Sequence, residues 1–405
     1  MTGNDRRRGL SRREVIAGAP AVVLAAATLN GPGLAQAQVL GKKEIVIGGT
    51  LPQTGAFSAF GRYWVDAYKF WEAELNAKGG LLGSKVRMII YDDQSDGSTA
   101  VSLYTKLITV DSADLLVSTF TIPVLAVMPI AEKYKMILVQ GGTNATSIID
   151  KGNYKYTFTT LTPDFAWADP LWDWLKTVPA EKRPKRAAFV QQVNPFMQGV
   201  VAGATPKAAA VGIEVVTTET YASDTQDFTA IMMKLKAAGV DLLFGAPNYP
   251  AGLSMIRTLA EVKYEPKLVY MAAGPTAPAW LKDLGAGTES VFTSTPYWPT
   301  LNTPGNQEVV KAMQVKFGYP PTRDSGQAYT PLQVLQTAVE ATKTLDQDVL
   351  RSYIATHEFS TVSGVMKFGD HGYATAQNYL MQIQQGQQLI VYPASVKSAD
   401  PVYPR

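Results

Sequence analysis

The chain has no cysteine and only two histidines in 405 residues. A disulfide framework, a thiolate nucleophile and a cysteine metal site are all excluded. With only His357 and His371, the usual transition-metal ligands are nearly missing as well. Both histidines read as solvated, one near a predicted helix end and one in a turn. Catalytic signatures are equally scarce. There is no Gly-x-Ser-x-Gly elbow, phosphate-cradling Gly-x4-Gly-Lys-Ser/Thr loop, His-Glu-x-x-His pair or Gly-x-Gly-x-x-Gly fingerprint. Asp92, Asp93 and Asp96 lack the spacing and glycine of an EF-hand and read as capping and solvated turn positions.

Charge of one sign is lacking too, once the first residues are set aside. Arg6, Arg7, Arg8, Arg12 and Arg13 form a basic region, Val15 to Leu29 is moderately apolar, and Ala35-Gln36-Ala37 fits a cleavage site. Residues 1–37 therefore read as an export signal, with mature chain from about Gln38 and the periplasm as destination. Ser11-Arg12-Arg13-Glu14-Val15-Ile16 resembles a twin-arginine signal; a general secretory signal with a chance arginine pair is the other reading. Without the five arginines, Asp5 and Glu14 of that segment, 37 basic against 34 acidic residues become 32 against 32. Such balance gives no electrostatic case for nucleic acid or anionic lipid. Neither the signal nor any later run reaches the roughly 20 apolar residues of a membrane span, so no direct insertion is expected. Lacking a cysteine at the cleavage point, the exported protein should be free rather than lipid-tethered.

What is present alternates between strand and helix. Ile45-Val46-Ile47-Gly48-Gly49 reads as a buried strand and Leu51 to Gly61 as a loop. A helix follows with Phe60, Trp64, Ala67, Trp71 and Leu75 on one face, stopped by Lys78-Gly79-Gly80. Val86, Met88 and Ile90 then alternate into Tyr91-Asp92-Asp93, completing a βαβ unit whose first loop lies where open α/β sheets place ligands. Ser98 is expected to cap the next helix. Further strands are expected at 114–117, 136–139 and 156–160. The pattern restarts at Ala187-Ala188-Phe189-Val190 and continues through Leu242-Leu243-Phe244, Lys267 to Met271 and Val291 to Ser294. Tyr91, Asp96, Thr99-Ala100-Val101 and Asp114-Leu115-Leu116 are echoed by Tyr221, Asp227, Thr229-Ala230-Ile231 and Asp241-Leu242-Leu243. About 368 mature residues exceed what one core supports, so two domains are expected.

Thr50-Leu51-Pro52-Gln53-Thr54-Gly55, Gly61, Glu74 to Gly83 and Tyr91-Asp92-Asp93 resemble the opening of the extracellular solute-binding proteins of the branched-chain amino acid type, the leucine/isoleucine/valine-binding family serving ABC importers. The resemblance extends over nearly the whole mature chain. It implies an α/β protein of two similar doubly wound parallel-sheet lobes joined by a multi-crossover hinge, the type I periplasmic binding fold. Lobe 1 is expected over 38–160 with 296–362, lobe 2 over 161–295 with 363–395, and a tail over 396–405. It also implies binding without catalysis, no cofactor, and ABC permease subunits with their ATPases as partners.

The loops expected at the cleft are rich in hydroxyls, amides and aromatics: Thr54, Phe57 and Phe60; Phe120 and Thr121; Gly142 and Thr143; Phe196 beside Asn194; Asn248 and Tyr249; Tyr297 and Trp298. Helix amino ends there offer N–H groups and partial positive charge to a carboxylate. By position, Phe120-Thr121 matches the family's carboxylate-receiving loop and Gly142-Thr143 its second. Phe196 matches an aromatic that closes on the ligand, and Asn248-Tyr249 falls near another such position. One departure stands out. Where the family places an acid for the ligand ammonium, this chain reads Ala272-Ala273-Gly274-Pro275. An unpaired buried ammonium costs several kcal/mol. Either another acid such as Asp164 substitutes, or the ligand has no amine. The expected ligand is thus a branched-chain or apolar amino acid or similar small carboxylate; an amine-free aromatic or aliphatic acid, or a sensory role, is the alternative. An exported enzyme would need a catalytic constellation that is not found, and sugar-binding relatives carry more Asp, Asn and Arg in these loops.

Overall fold

The computed structural model describes residues 41–405 except 56, 57, 119 and 370, and leaves the side chains of 59 and 60 undescribed. The expected export signal lies outside the described residues. Lobe 1 opens with β1 (Glu44–Leu51), α1 (Ser58–Ala77), β2 (Lys85–Asp92), α2 (Gly97–Thr109), β3 (Leu115–Ser118), α3 (Thr121–Tyr134), β4 (Leu138–Gln140), α4 (Thr146–Gly152) and β5 (Thr157–Thr159). Its sheet runs β2-β1-β3-β4-β5, with every pairing parallel.

Strand pleating explains why these strands read as unbroken apolar runs. Successive side chains point to opposite faces, and helices cover both faces of a parallel sheet. Ile45 and Ile47 therefore enter one core with Trp64, Trp71 and Leu335, while Val46 enters the other with Tyr104, Val124 and Met128.

The chain leaves β5 for a 3-10 turn (Asp164–Ala166) and α5 (Asp169–Thr177). Lobe 2 then follows as β6 (Arg186–Gln192), α6 (Pro195–Ala210), β7 (Glu214–Tyr221), α7 (Thr229–Ala237), β8 (Leu242–Ala246), α8 (Tyr249–Glu261), β9 (Leu268–Met271), α9 (Pro278–Leu284) and β10 (Val291–Thr295). Lobe 1 is completed by α10 (Asn306–Phe317), α11 (Arg323–Thr342), α12 (Gln347–Thr356), β11 (Glu358–Thr361) and β12 (Gly364–Lys367). The chain returns to lobe 2 as β13 (Tyr379–Gln384) and β14 (Gln387–Tyr392). The second sheet is ordered β14-β13-β10-β9-β8-β6-β7, with β13 antiparallel to both neighbours. Ala187 and Phe189 face one core and Ala188 and Val190 the other, repeating the alternation of β1.

Three sequence expectations are corrected. Residues 363–374 belong with lobe 1: β12 pairs with β11, and Met366, Phe368 and Ala374 join the core that holds Trp71. Thr159 N–H donates to Gly372 O at 2.7 Å, so the 372–374 segment extends the edge at β5. A short hairpin leaves no local mark of which lobe it packs on. The tail is part of lobe 2: Val402 exchanges two 2.8 Å hydrogen bonds with the Gln382 side chain, and Tyr403 packs edge-on against Trp174. Finally, Asp96 rather than Ser98 caps α2, accepting from Thr99 N–H at 2.7 Å while the Ser98 hydroxyl donates to it.

The crossings fix how the two sheets are arranged. β5 and β10 both hand the chain to the other lobe from their carboxyl ends, so these ends of both sheets face each other. Thr162 Oγ1 donates to Ala376 O at 2.7 Å and Asn378 Nδ2 to Trp167 O at 3.0 Å, tying two crossing segments together. Tyr297 is 1 % exposed, and its hydroxyl donates to Asn306 Oδ1 at 2.9 Å. A Cβ on Gly326 would lie 2.2 Å from the Tyr297 ring, so only glycine lets α11 pass there.

Candidate functional site

On lobe 1 the wall is built from backbone and hydroxyl groups. No described side chain caps α3, a helix of 14 residues. Pro123 has no N–H, and Val124 N–H already donates to Phe120 O. The amides of Thr121 and Ile122 are therefore the donors this amino end offers, with the helix dipole behind them. Phe120 precedes them at φ 57°, ψ 142°, a conformation costly for a residue with a Cβ. Its ring lies 5.8 Å from that of Trp64.

The β4 loop is held beside this end by Gln140, which is fully buried. Gln140 Oε1 accepts from Gly142 N–H at 2.7 Å and Thr143 N–H at 2.9 Å; Nε2 donates to Thr143 O at 2.8 Å and Thr159 Oγ1 at 2.5 Å. The loop amides are thus committed inside the protein. Gly142 O, in turn, faces Thr121 Oγ1 at 3.4 Å. Phe120, Thr121, Gly142 and Thr143 are brought together.

The first loop is anchored in the same way. Asp92 accepts from Gln53 N–H at 2.9 Å, Thr54 N–H at 3.1 Å and Thr54 Oγ1 at 2.6 Å. Burial pushes this carboxyl up, but the bonds from Thr54, Gln94 and Gln53 outweigh it and hold it low. Thr54 serves the loop. Asp93 is fully buried rather than solvated, and accepts from Thr50 Oγ1 at 2.7 Å. Phe57 and the Phe60 side chain lie outside the described residues.

Lobe 2 presents aromatic surface. Asn194 caps α6 through Phe196 N–H (3.0 Å) and Met197 N–H (3.4 Å), with Pro195 at the helix start, where a missing N–H costs nothing. Half-buried Phe196 meets Trp167 edge-on at 5.4 Å. Trp167 Nε1 donates to Ala272 O at 3.1 Å, which places both rings beside the 272–275 segment. Ala273 and Phe196 border the same core.

The other expected site residues also have partners within the fold. Asn248 caps α8 by accepting from Ala251 N–H at 2.9 Å, and its amide donates to Ser223 O. Tyr249 packs on Trp280, and its hydroxyl donates to Asp283 Oδ2 at 2.8 Å. Tyr297 lies in the hinge, and Trp298 packs against the cluster of Tyr297, Leu301 and Val362. Sequence reasoning passed over Gln140, Trp64 and Trp167. Helical periodicity marks Trp64 only as core, and a strand-ending glutamine or an isolated tryptophan has no periodic signature.

Asp164 is not a free counter-charge. It is fully buried, and accepts from Thr146 Oγ1 at 2.7 Å, Thr146 N–H at 3.2 Å and Phe165 N–H at 2.8 Å. A Cβ on Gly199 would lie 1.9 Å from its Oδ2. Burial pushes its carboxyl above the usual range despite these bonds. Among the described residues named on the two walls, none offers an unengaged carboxylate.

Residues 44–388 match the family described as "Periplasmic binding protein". The chain is 25 % identical over 348 residues to Leu/Ile/Val-binding protein homolog 2 of Brucella abortus, covering 84 % of this chain and 90 % of that one. The fold is similar to that of the Streptococcus pneumoniae branched-chain amino acid transporter substrate-binding protein in complex with isoleucine. There the TM-score is 0.76 at 18 % identity, over 89 % of this chain and 100 % of that one. It is likewise similar to an ABC transporter solute-binding protein of Rhodopseudomonas palustris in complex with 3,4-dihydroxybenzoic acid. In that comparison the TM-score is 0.75 at 18 % identity, over 90 % and 99 % of the two chains.

Proposed function

The chain belongs to the periplasmic binding protein family, and we propose that it is the substrate-binding component of an ABC importer that holds a small amine-free organic acid, most favourably an aromatic one, in the interlobe cleft. The amino end of α3 with Thr121 receives the carboxylate. Phe196 and Trp167 supply an apolar, aromatic wall for the ring. The hinge closes the lobes around the ligand, and the closed form docks on the membrane permease. No described helix is long and apolar enough to cross a membrane.

The observation that carries this reading is the 272–275 segment. It follows β9 beside Trp167 and contains no acid, while Asp164 is already engaged. An ammonium brought here would lose water without gaining a counter-charge, a cost of several kcal/mol. A second reading, a branched-chain amino acid as ligand, is favoured by the isoleucine complex of a structural neighbour.

A thermal-shift and calorimetric comparison of benzoate, 3,4-dihydroxybenzoate, leucine, isoleucine and valine tests it. At about 100 times the dissociation constant a ligand adds about 2.7 kcal/mol, a clear rise in Tm. Stabilisation by the aromatic acids alone is expected; strong stabilisation by leucine with none by benzoate hands the cleft to the second reading.

A further inference from the structure

The first crossing, which leads from β5 into α5, is gripped by both lobes, and the two grips differ in kind. On the lobe 1 side they are hydrogen bonds. Ala145 has no polar side chain with which to cap α4, and the Asp164 carboxylate takes that place through Thr146 N–H at 3.2 Å and Thr146 Oγ1 at 2.7 Å. Asp164 N–H donates to Asn144 O at 3.2 Å, and Asn144 Nδ2 donates to Thr162 O. Asp164 is thus fixed to lobe 1 by directional contacts, and its carboxylate is not free to swing aside.

From lobe 2, α6 meets the same segment with bare backbone. Gly199, Gly203 and Lys207 follow at one-turn intervals along one face of this helix. A Cβ on Gly199 would lie 1.9 Å from Asp164 Oδ2, and one on Gly203 would lie 2.1 Å from Phe165 O. Glycine is disfavoured inside a helix, so two at this spacing mark a close approach the helix could not otherwise make. Among the described residues, α6 gives the Asp164 carboxylate no hydrogen bond. Lys207 Nζ instead donates to Phe165 O at 2.7 Å and pairs with Asp169. Phe165 is therefore divided, with its N–H on the Asp164 carboxylate at 2.8 Å and its carbonyl on α6. α6 also reaches α4 of lobe 1. We propose that this contact is the bearing of the interlobe hinge. The Asp164 carboxylate, held by lobe 1, is the surface over which Gly199 of α6 moves when the lobes close, and the Phe165 backbone takes up the rotation. Contact with bare backbone lets the helix slide, where a hydrogen bond would hold one position.

The inference rests on the lobe closure of the reading above, not on which ligand the cleft holds. Gly199→Ala is compared with wild type by small-angle X-ray scattering without ligand and by calorimetry with benzoate and isoleucine. The added methyl should prop α6 off the crossing, raising the radius of gyration and weakening whichever ligand binds at least tenfold. In an Asp164→Ala background, which removes the atoms the methyl would strike, Gly199→Ala should change neither quantity further. Wild-type scattering in Gly199→Ala would overturn the bearing, and so would an equal effect in both backgrounds. If neither ligand binds wild type, the cleft reading fails while scattering still decides the bearing. Should Gly199→Ala not fold, Lys207→Gln carries the test from the partly exposed side of α6. Freeing the Phe165 carbonyl should then shift the unliganded radius of gyration, and an unchanged value would count against the hinge.

Discussion

Lobe 1 orders its parallel strands β2-β1-β3-β4-β5, and lobe 2 repeats that order as β7-β6-β8-β9-β10 before adding an antiparallel pair. The repetition reaches single residues. Asp96 and Asp227 follow the second strand of their lobes and each accepts from the amide of a threonine in the first turn of the next helix, Thr99 at 2.7 Å and Thr229 at 2.8 Å. Yet the facing walls share little chemistry. Lobe 1 offers a helix end and hydroxyls braced by a buried glutamine; lobe 2 offers two aromatic rings braced by a carbonyl. Sheet order is set by packing demands common to both halves, whereas the loops at the strand ends are free of that constraint and carry the difference.

The sharpest way to break this contrast is to remove the braces. Trp167→Ala empties a buried site and frees Phe196; a loss of about 4 kcal/mol is expected in urea denaturation, with aromatic-acid affinity falling with it. Gln140→Ala strips the acceptor shared by the Gly142 and Thr143 amides and should cost about 3 kcal/mol. Retention of wild-type stability by the glutamine variant would show that lobe 1 does not rely on its brace.

Smaller changes separate binding from scaffolding. Thr121→Ala removes a hydroxyl beside the α3 amino end and should weaken benzoate about tenfold by calorimetry, with Tm of the unliganded protein nearly unchanged. Equal weakening of an uncharged analogue such as benzamide would deny the carboxylate role.

The smallest effect concerns pH. Burial raises the Asp164 carboxyl above its unfolded value of 3.8. Its contribution to stability is therefore complete below that value and lost as pH climbs through the raised folded one. Asp164→Asn keeps an oxygen acceptor but cannot ionise. Measured from pH 3.5 to 7, the stability difference should move in favour of the variant as pH rises and then level off. A drift toward wild type would mean the hydrogen bonds from Thr146 and Phe165 outweigh desolvation.

Much of the architecture was legible because its causes are local. The apolar run at 45–47, the helix face with Trp64, Ala67, Trp71 and Leu75, and the Gly79-Gly80 stop each encode an element through periodicity or backbone preference. The candidate site was legible only as a set of loops. Asn194 and Asn248 announce helix starts, which they cap, but the same residue types serve as ligand contacts, and spacing does not distinguish the two roles. The lobe that receives β12 was not legible at all, since hairpin residues carry no record of the surface they land on.

By itself, then, the sequence determined the alternation of strands and helices, the doubling of the pattern, the lack of thiol chemistry and the missing acid at 272–275. Tertiary structure decided which polar groups are engaged within the protein: Gln140 closes around the Gly142 and Thr143 amides, Thr146 engages Asp164, and Asn306 takes the Tyr297 hydroxyl, while no described side chain caps α3. The reason is physical. Element formation depends on neighbours a few residues away, but satisfaction of a buried donor or acceptor depends on partners brought from far along the chain.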